Sequence, residues 1–135
     1  MNRCPRNCHI CQNIIQSSRF HSNQTHVEYP INSRFDCTSD WVIYLVTCKM
    51  TGKQYVGKTE QKLSERFHAH LSNIRNGIGT DGMEKHFIEK CGIGSIGIQI
   101  IGMYVKIMIS LKKCIGSCKI NSYRGKTISF FKIRL

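Results

Sequence analysis

The sequence predicts a small mixed α/β fold of the α+β kind, with elements in the order strand, strand, helix, helix, strand, preceded by an irregular cysteine-rich segment. Three observations carry that prediction. Val42-Ile43-Tyr44-Leu45-Val46-Thr47 is a β-branched and aromatic run of the kind that builds strands. Leu63, Phe67, Leu71 and Ile74 recur at spacings of four, four and three, which puts them on one stripe of a helix. Residues 1–40 are instead rich in Cys, Asn, Ser and Arg and keep neither a period of 2 nor one of 3.6, so metal or disorder takes the place of a core there.

The elements follow in order. The first strand begins after Trp41, and Met50-Thr51-Gly52 followed by Gln54-Tyr55-Val56-Gly57 completes the pattern of a β-hairpin. Gly52 suits the positive φ of a short hairpin loop, and Gly57 is expected to end the second strand. Thr59 is placed to cap the helix that bears the apolar stripe, which is expected to run to Arg75 and stop at Asn76-Gly77. Asp81 is placed to cap a second, shorter helix with Met83, Phe87 and Cys91 on one face, and Gly92 to terminate it. Ile96 to Ile101 reads as a third strand. From Tyr104 to Leu111 the chain is apolar but broken by Lys106, and beyond Lys112 no period emerges.

The 135 residues carry 20 Lys+Arg against 8 Asp+Glu, a formal net charge of +12, with 41% hydrophobic residues and eight cysteines. One compact domain with an appendage fits that length, and the apolar content excludes disorder throughout. No apolar h-region follows the opening residues and no run approaches the ~20 apolar residues of a membrane span, so neither secretion by that route nor membrane insertion is expected. The cysteines then read as reduced metal ligands or core thiols of an intracellular protein. The charge is uneven: residues 90–135 hold nine Lys+Arg and no acid, and all eight acids lie before them. Such a basic stretch is either a phosphate-neutralising surface or a solvated end without a dedicated partner.

Val42-Ile43-Tyr44 on the first strand, Tyr55-Val56-Gly57 on the second, Arg66 on the following helix and His70 one turn later form an ordered set. Together they resemble the GIY-YIG nuclease family. The first triplet has Val for the usual Gly and the second has Val for the usual Ile, while Lys58 falls where excinuclease-type members carry a Lys. The strings Phe35 to Asp40, Val42 to Lys49, Gln54 to Thr59 and Arg66 to His70 also resemble the nuclease domain of Penelope-like retroelements, and Cys4-Pro5-Arg6-Asn7-Cys8-His9-Ile10-Cys11 is similar to the cysteine motif preceding it. Thr51 stands where those sequences often have a Cys. The resemblance implies a small three-stranded antiparallel sheet flanked by helices. It also implies DNA as partner, Mg²⁺ or Mn²⁺ as cofactor, a place in a larger reverse-transcriptase polyprotein, and the nucleus rather than the cytoplasm as location. The expected organisation is a cysteine-rich segment over 1–40, a nuclease-like domain over 41–102 and a divergent basic tail over 103–135.

Hydrolysis of a phosphodiester needs an activated water, stabilisation of charge at phosphorus and help for the leaving oxygen. Arg66 supplies a fixed charge and a planar donor fork suited to phosphate. A Tyr phenol, with an ordinary pKa near ~10, can act as a base only if cations or a metal lower it, so Tyr44 needs Arg66, Lys58 or Mg²⁺ beside it. The resemblance implies that Tyr44 helps to activate water, that Tyr55 and His70 assist in positioning or proton transfer, and that Arg66 binds the scissile phosphate. Lys58 joins the catalytic set, and Lys58 and Arg75 are the expected DNA contacts. Taken alone, strand tyrosines such as Tyr44 and Tyr55 are usually packing residues, His68 and His86 read as ordinary histidines, and Glu65 as a solvated helix charge. The resemblance also implies a metal-binding Glu on a later helix, some forty residues past the Arg. No Asp or Glu follows Glu89, Glu84 and Glu89 sit on a different element, and no residue is named for the Mg²⁺ ligand. The alternative function is therefore an inactive nucleic-acid-binding remnant.

Cys4, Cys8 and Cys11 offer three thiolates to one tetrahedral Zn²⁺, with Cys37, His21, His26 or Cys48 as the fourth ligand; unliganded thiols are the other reading. Cys37 is the expected partner. Cys91 reads as helix core, and Cys114 and Cys118 as incidental thiols or a second metal pair.

Overall fold

The computed structural model describes residues 1–103. Tyr104 to Leu135, which hold the Cys114/Cys118 pair and nearly all of the basic tail, lie outside the described residues. Among the described residues there are five strands and two α-helices: β1 (Arg19–His21), β2 (Glu28–Pro30), β3 (Val42–Cys48), β4 (Gln54–Thr59), α1 (Leu63–Arg75), α2 (Gly82–His86) and β5 (Ile96–Met103). No helix among the described residues is long and apolar enough to cross a membrane.

The central sheet is three-stranded and antiparallel, in the order β4-β3-β5. β3 lies in the middle, which is why its Val42–Cys48 run is apolar almost without interruption. Val46 pairs with Tyr55 and Tyr44 with Gly57, so the pleat sends Tyr44, Val46, Cys48, Tyr55 and Gly57 to one face. The helices cover that face: the Tyr44 ring meets Phe67 of α1 edge-on at 5.1 Å. The opposite face, with Leu45, Val56, Gln54 and Gln99, is covered by the N-terminal segment. There Gln54 Nε2 donates to the His21 carbonyl at 2.9 Å and Gln99 Nε2 to the Arg19 carbonyl at 3.0 Å. The expectation that metal or disorder takes the place of a core over residues 1–40 is corrected: this segment shares the core of the sheet, with Ile10, Cys11, Phe20 and Phe35 buried in one cluster with Leu45 and Val56. It also holds a hairpin, β1–β2, too short to give a sequence period.

Several local expectations meet the structure directly. Gly52 turns the β3–β4 hairpin at φ +75° and Gly92 ends the second helical segment at φ +71°. Asp81 caps α2 by accepting the Glu84 N–H at 2.8 Å. α2 then continues as a single π-helical turn over Phe87–Cys91.

Two local expectations are corrected. Thr59 does not cap α1: its hydroxyl accepts from Gln61 N at 3.1 Å, and Lys62 holds the N-cap position without a side-chain bond. The carbonyls of Ser39 and Cys37 accept the N–H groups of Leu63 and Ser64 instead, both at 2.9 Å, so the orphan donors of the helix start are met by the preceding loop. Gly57 does not end β4, which runs on to Thr59. A Cβ at Gly57 would fall into the Tyr44 ring, 2.7 Å from Cε2 and closer still to Cζ and the hydroxyl oxygen. Glycine is needed there for space.

Candidate active site and cysteine clusters

The helix-covered face of the sheet brings Tyr44, Arg66 and His70 together. Arg66 and His70, one turn apart, lie on the side of α1 that faces β3. The Arg66 guanidinium is close enough to the Tyr44 phenol to act on it by its charge and as a donor, and Phe67 packs between Tyr44 and His70, its ring 5.4 Å from the imidazole. Burial pushes the Tyr44 phenol up, against the opposing pull of the Arg66 charge and hydrogen bond. Tyr44 therefore stays a phenol at neutral pH and acts here as a hydrogen-bonding hydroxyl.

His70 is buried, and its Nδ1 sits 2.8 Å from Glu84 Oε1 and 3.9 Å from Asp81 Oδ2. Its Nε2 is buried with no hydrogen-bond partner among the described residues, and the same holds for the Tyr55 hydroxyl. Burial, with the nearby Cys48 and Asp81 charges, pushes Tyr55 up to about 12. Two of the expected site residues lie elsewhere. Lys58 pairs with Ile43, so it starts from the face opposite Tyr44. Arg75 is exposed in the last turn of α1, nine residues and half a rotation from Arg66.

Glu84 is the residue whose part the sequence did not reveal. Its Oε2 accepts from Thr80 N at 2.8 Å and Thr80 Oγ1 at 2.7 Å, and its Oε1 from Asn73 Nδ2 at 3.1 Å as well as facing His70. Burial pushes its carboxyl up, but these bonds, with Thr80 first, bring it down to about 2. The available signal was the Asp81-x-x-Glu84 spacing, that of a capping box, in which Glu84 would bond back to the N-cap. The carboxylate instead reaches Thr80 and His70.

The site also bears on the divalent metal that the sequence resemblance implies. His70, Asp81 and Glu84 bring their donor atoms within 4.8 Å of one another. Both oxygens of Glu84 are already taken by protein donors, and Asp81 Oδ1 holds the cap of α2. A hard cation bound through carboxylates does not fit this donor set without breaking it.

The four thiols of Cys4, Cys8, Cys11 and Cys37 do fit a zinc ion. Cys11 Sγ lies 3.5 Å from Cys4 Sγ, 3.7 Å from Cys8 Sγ and 3.5 Å from Cys37 Sγ. Tetrahedral zinc with ~2.3 Å arms spaces its sulfurs by about 3.8 Å. The Cys8 N–H, 3.5 Å from Cys4 Sγ, brings that thiol down to about 7. Burial pushes Cys8 and Cys37 up, so a cation is what would hold the set as thiolates. Of the four candidates for the fourth ligand, Cys37 is the one in the cluster. His21 and His26 are exposed, and Cys48 lies in a second group with His86 and Cys91. In that group Cys91 Sγ is 3.6 Å and Thr51 Oγ1 3.4 Å from His86 Nε2. Burial pushes Cys48 up, but hydrogen bonds from Thr51 and His86 outweigh it and bring the thiol down to about 6. Cys91 and His86, read from sequence as core thiol and ordinary histidine, thus form with Cys48 a three-donor group suited to a soft metal.

No curated protein and no solved structure matches the chain. Residues 40–92, which run from two residues before β3 to the residue after the π-helical turn, match the family model described as the GIY-YIG catalytic domain. With the antiparallel sheet and the helices behind it, that match supports the GIY-YIG superfamily for this part of the chain.

Proposed function

We propose that the chain is a DNA endonuclease of the GIY-YIG type that hydrolyses a phosphodiester in the pocket of Tyr44, Arg66 and His70. A GIY-YIG domain implies nuclease activity in general. The observation that carries the proposal is the Arg66 guanidinium acting on the Tyr44 phenol, with His70 Nε2, buried and without a partner among the described residues, on the other side of the Phe67 ring. In this reading Arg66 holds the scissile phosphate and offsets the charge that grows on its oxygens. The Tyr44 hydroxyl donates to a non-bridging oxygen. An attacking water gives one proton to His70 Nε2 as its oxygen bonds phosphorus, the bond to the leaving oxygen breaks, and that oxygen takes a proton from solvent. Tyr55 lines the pocket, and Lys58 and Arg75 meet DNA away from the reacting phosphate. No step is routed through a divalent ion, because the carboxylates of the site are committed elsewhere.

A zinc ion on Cys4, Cys8, Cys11 and Cys37 belongs to the proposal as a structural link. It would fasten the N-terminal segment to the start of α1, where the Cys37 carbonyl already caps the helix. A zinc-bearing N-terminal segment packed into the core of the nuclease domain, a basic tail, a retroelement origin and a nuclear location complete the reading, and the strings from Phe35 to His70 support the retroelement origin.

A second reading, binding without cutting, is favoured by the absence of any acid after Glu89 in a stretch with nine Lys+Arg. Incubation of the full chain with supercoiled plasmid and Mg²⁺ or Mn²⁺ separates the two. Relaxed or linear plasmid that no longer forms with Arg66→Ala is expected; a shifted but uncut plasmid under both ions leaves only the second reading.

A further inference from the structure

We propose that Glu84 is a positioning residue of the site: it fixes the proton of His70 on Nδ1 and so turns the Nε2 lone pair toward the reacting water. The proposal rests on the nuclease reading above for its role, and on geometry for its content.

Glu84 is 1% exposed, and a carboxylate so buried is found only where it is fully paired. Here four donors reach it, two on each oxygen: Thr80 N–H and Thr80 O–H on Oε2, Asn73 Nδ2 and His70 Nδ1 on Oε1. An ionised carboxylate only accepts, so the His70 nitrogen facing it must carry hydrogen. Asp81 Oδ2, 3.9 Å from the same nitrogen, favours the same placement. Asp81 also orients Glu84, because its Oδ1 accepts the Glu84 N–H at 2.8 Å. The consequence lies on the other side of the ring. With the proton held on Nδ1, the ring in its neutral form presents a lone pair at Nε2, the buried atom without a partner among the described residues.

A neutral amide cannot take over this arrangement. The Thr80 N–H is a fixed backbone donor, so a Gln at position 84 turns its carbonyl oxygen toward Thr80. Its NH₂ then faces His70 Nδ1 and donates to it. The ring proton moves to Nε2, and the nitrogen that should accept a proton becomes a donor. A residue that only tied α2 to α1 would not change the tautomer in this way.

The test uses the full chain with isotopically labelled histidine, His70 being assigned by loss of its signals in His70→Asn. Nitrogen and ring-carbon shifts read the tautomer in the wild type, Glu84→Gln and Glu84→Asp, and single-turnover cutting of plasmid is measured beside them. The wild type is expected to hold hydrogen on Nδ1 alone and Glu84→Gln on Nε2. Loss of a general base typically slows its step by about 10²–10⁴-fold, so the single-turnover rate of Glu84→Gln at saturating protein should fall about 100-fold or more. Glu84→Asp keeps the wild-type tautomer. A wild-type ring protonated at Nε2, or Glu84→Gln with the wild-type tautomer, overturns the proposal, and the wild-type and Glu84→Asp spectra decide it if Glu84→Gln does not fold. If the wild type cuts no plasmid, the nuclease reading fails while the spectra still decide the positioning.

Discussion

Gly57→Ala is a one-methyl change whose cost can be worked from the structure. The added Cβ would lie 2.7 Å from Tyr44 Cε2, nearer than Cβ atoms approach any neighbour, and nearer still to Cζ and the hydroxyl. Tyr44 cannot yield easily: it is 4% exposed and its ring is held edge-on by Phe67. Its backbone is fixed too, since Tyr44 and Gly57 are partners in the β3–β4 ladder. Overpacking of this kind costs about 1–3 kcal/mol. For a domain of this size that corresponds to a fall in Tm on the order of 10 °C. The cause is isolated by a double-mutant cycle with Tyr44→Val, measured by urea unfolding. The smaller valine side chain leaves room for the methyl, so Gly57→Ala should cost almost nothing in the Tyr44→Val background, and the coupling should recover most of the single-mutant loss. A Gly57→Ala protein as stable as the wild type, or one that loses as much when Tyr44→Val is also present, would refute the steric argument.

Two further outcomes follow from the clusters. Protein purified without chelator should carry about one equivalent of zinc and lose both metal and thermal stability in Cys37→Ser; less than roughly half an equivalent in the wild type contradicts the site. Glu84, held at about 2 when folded against an ordinary 4.5, favours the folded state above pH ~4.5, and that contribution disappears as pH falls toward ~2. The shift is worth about 3 kcal/mol. The stability gap between the wild type and Glu84→Gln should therefore narrow over that window; a gap unchanged from pH 5 to pH 2 would show that the carboxylate bonds do not stabilise the fold.

What could be read from the sequence was local. The β3–β4 hairpin, the α1 stripe, the Asp81 cap and the glycines at 52 and 92 all declare themselves within a few residues, and each is present. What escaped depended on residues distant in the chain. Thr59 has the chemistry of a cap, yet carbonyls from residues 37 and 39 reach the helix start first. Gly57 ends nothing, because its smallness answers Tyr44 across the ladder. Cys48, His86 and Cys91 come from a strand, the last residue of α2 and the end of the π-helical turn, with no spacing motif to link them. The site is split in the same way. The Tyr44, Arg66 and His70 group follows from a strand and one helix face, whereas Glu84 belongs to it only because α2 folds back onto α1.

The most direct test of the pocket is the fraction of bound DNA that is cut. A labelled duplex is saturated with the wild type or with Arg66→Ala, each shown to be folded, and cutting is followed in a single turnover with Mg²⁺ or Mn²⁺. Loss of one charge-stabilising donor typically slows chemistry about 10²–10³-fold. Arg66→Ala should therefore bind the duplex nearly as well as the wild type and cut it at least about 100-fold more slowly. Equal cutting by both proteins, or bound duplex left intact by the wild type, would contradict the assignment of phosphodiester hydrolysis to the pocket of Tyr44, Arg66 and His70.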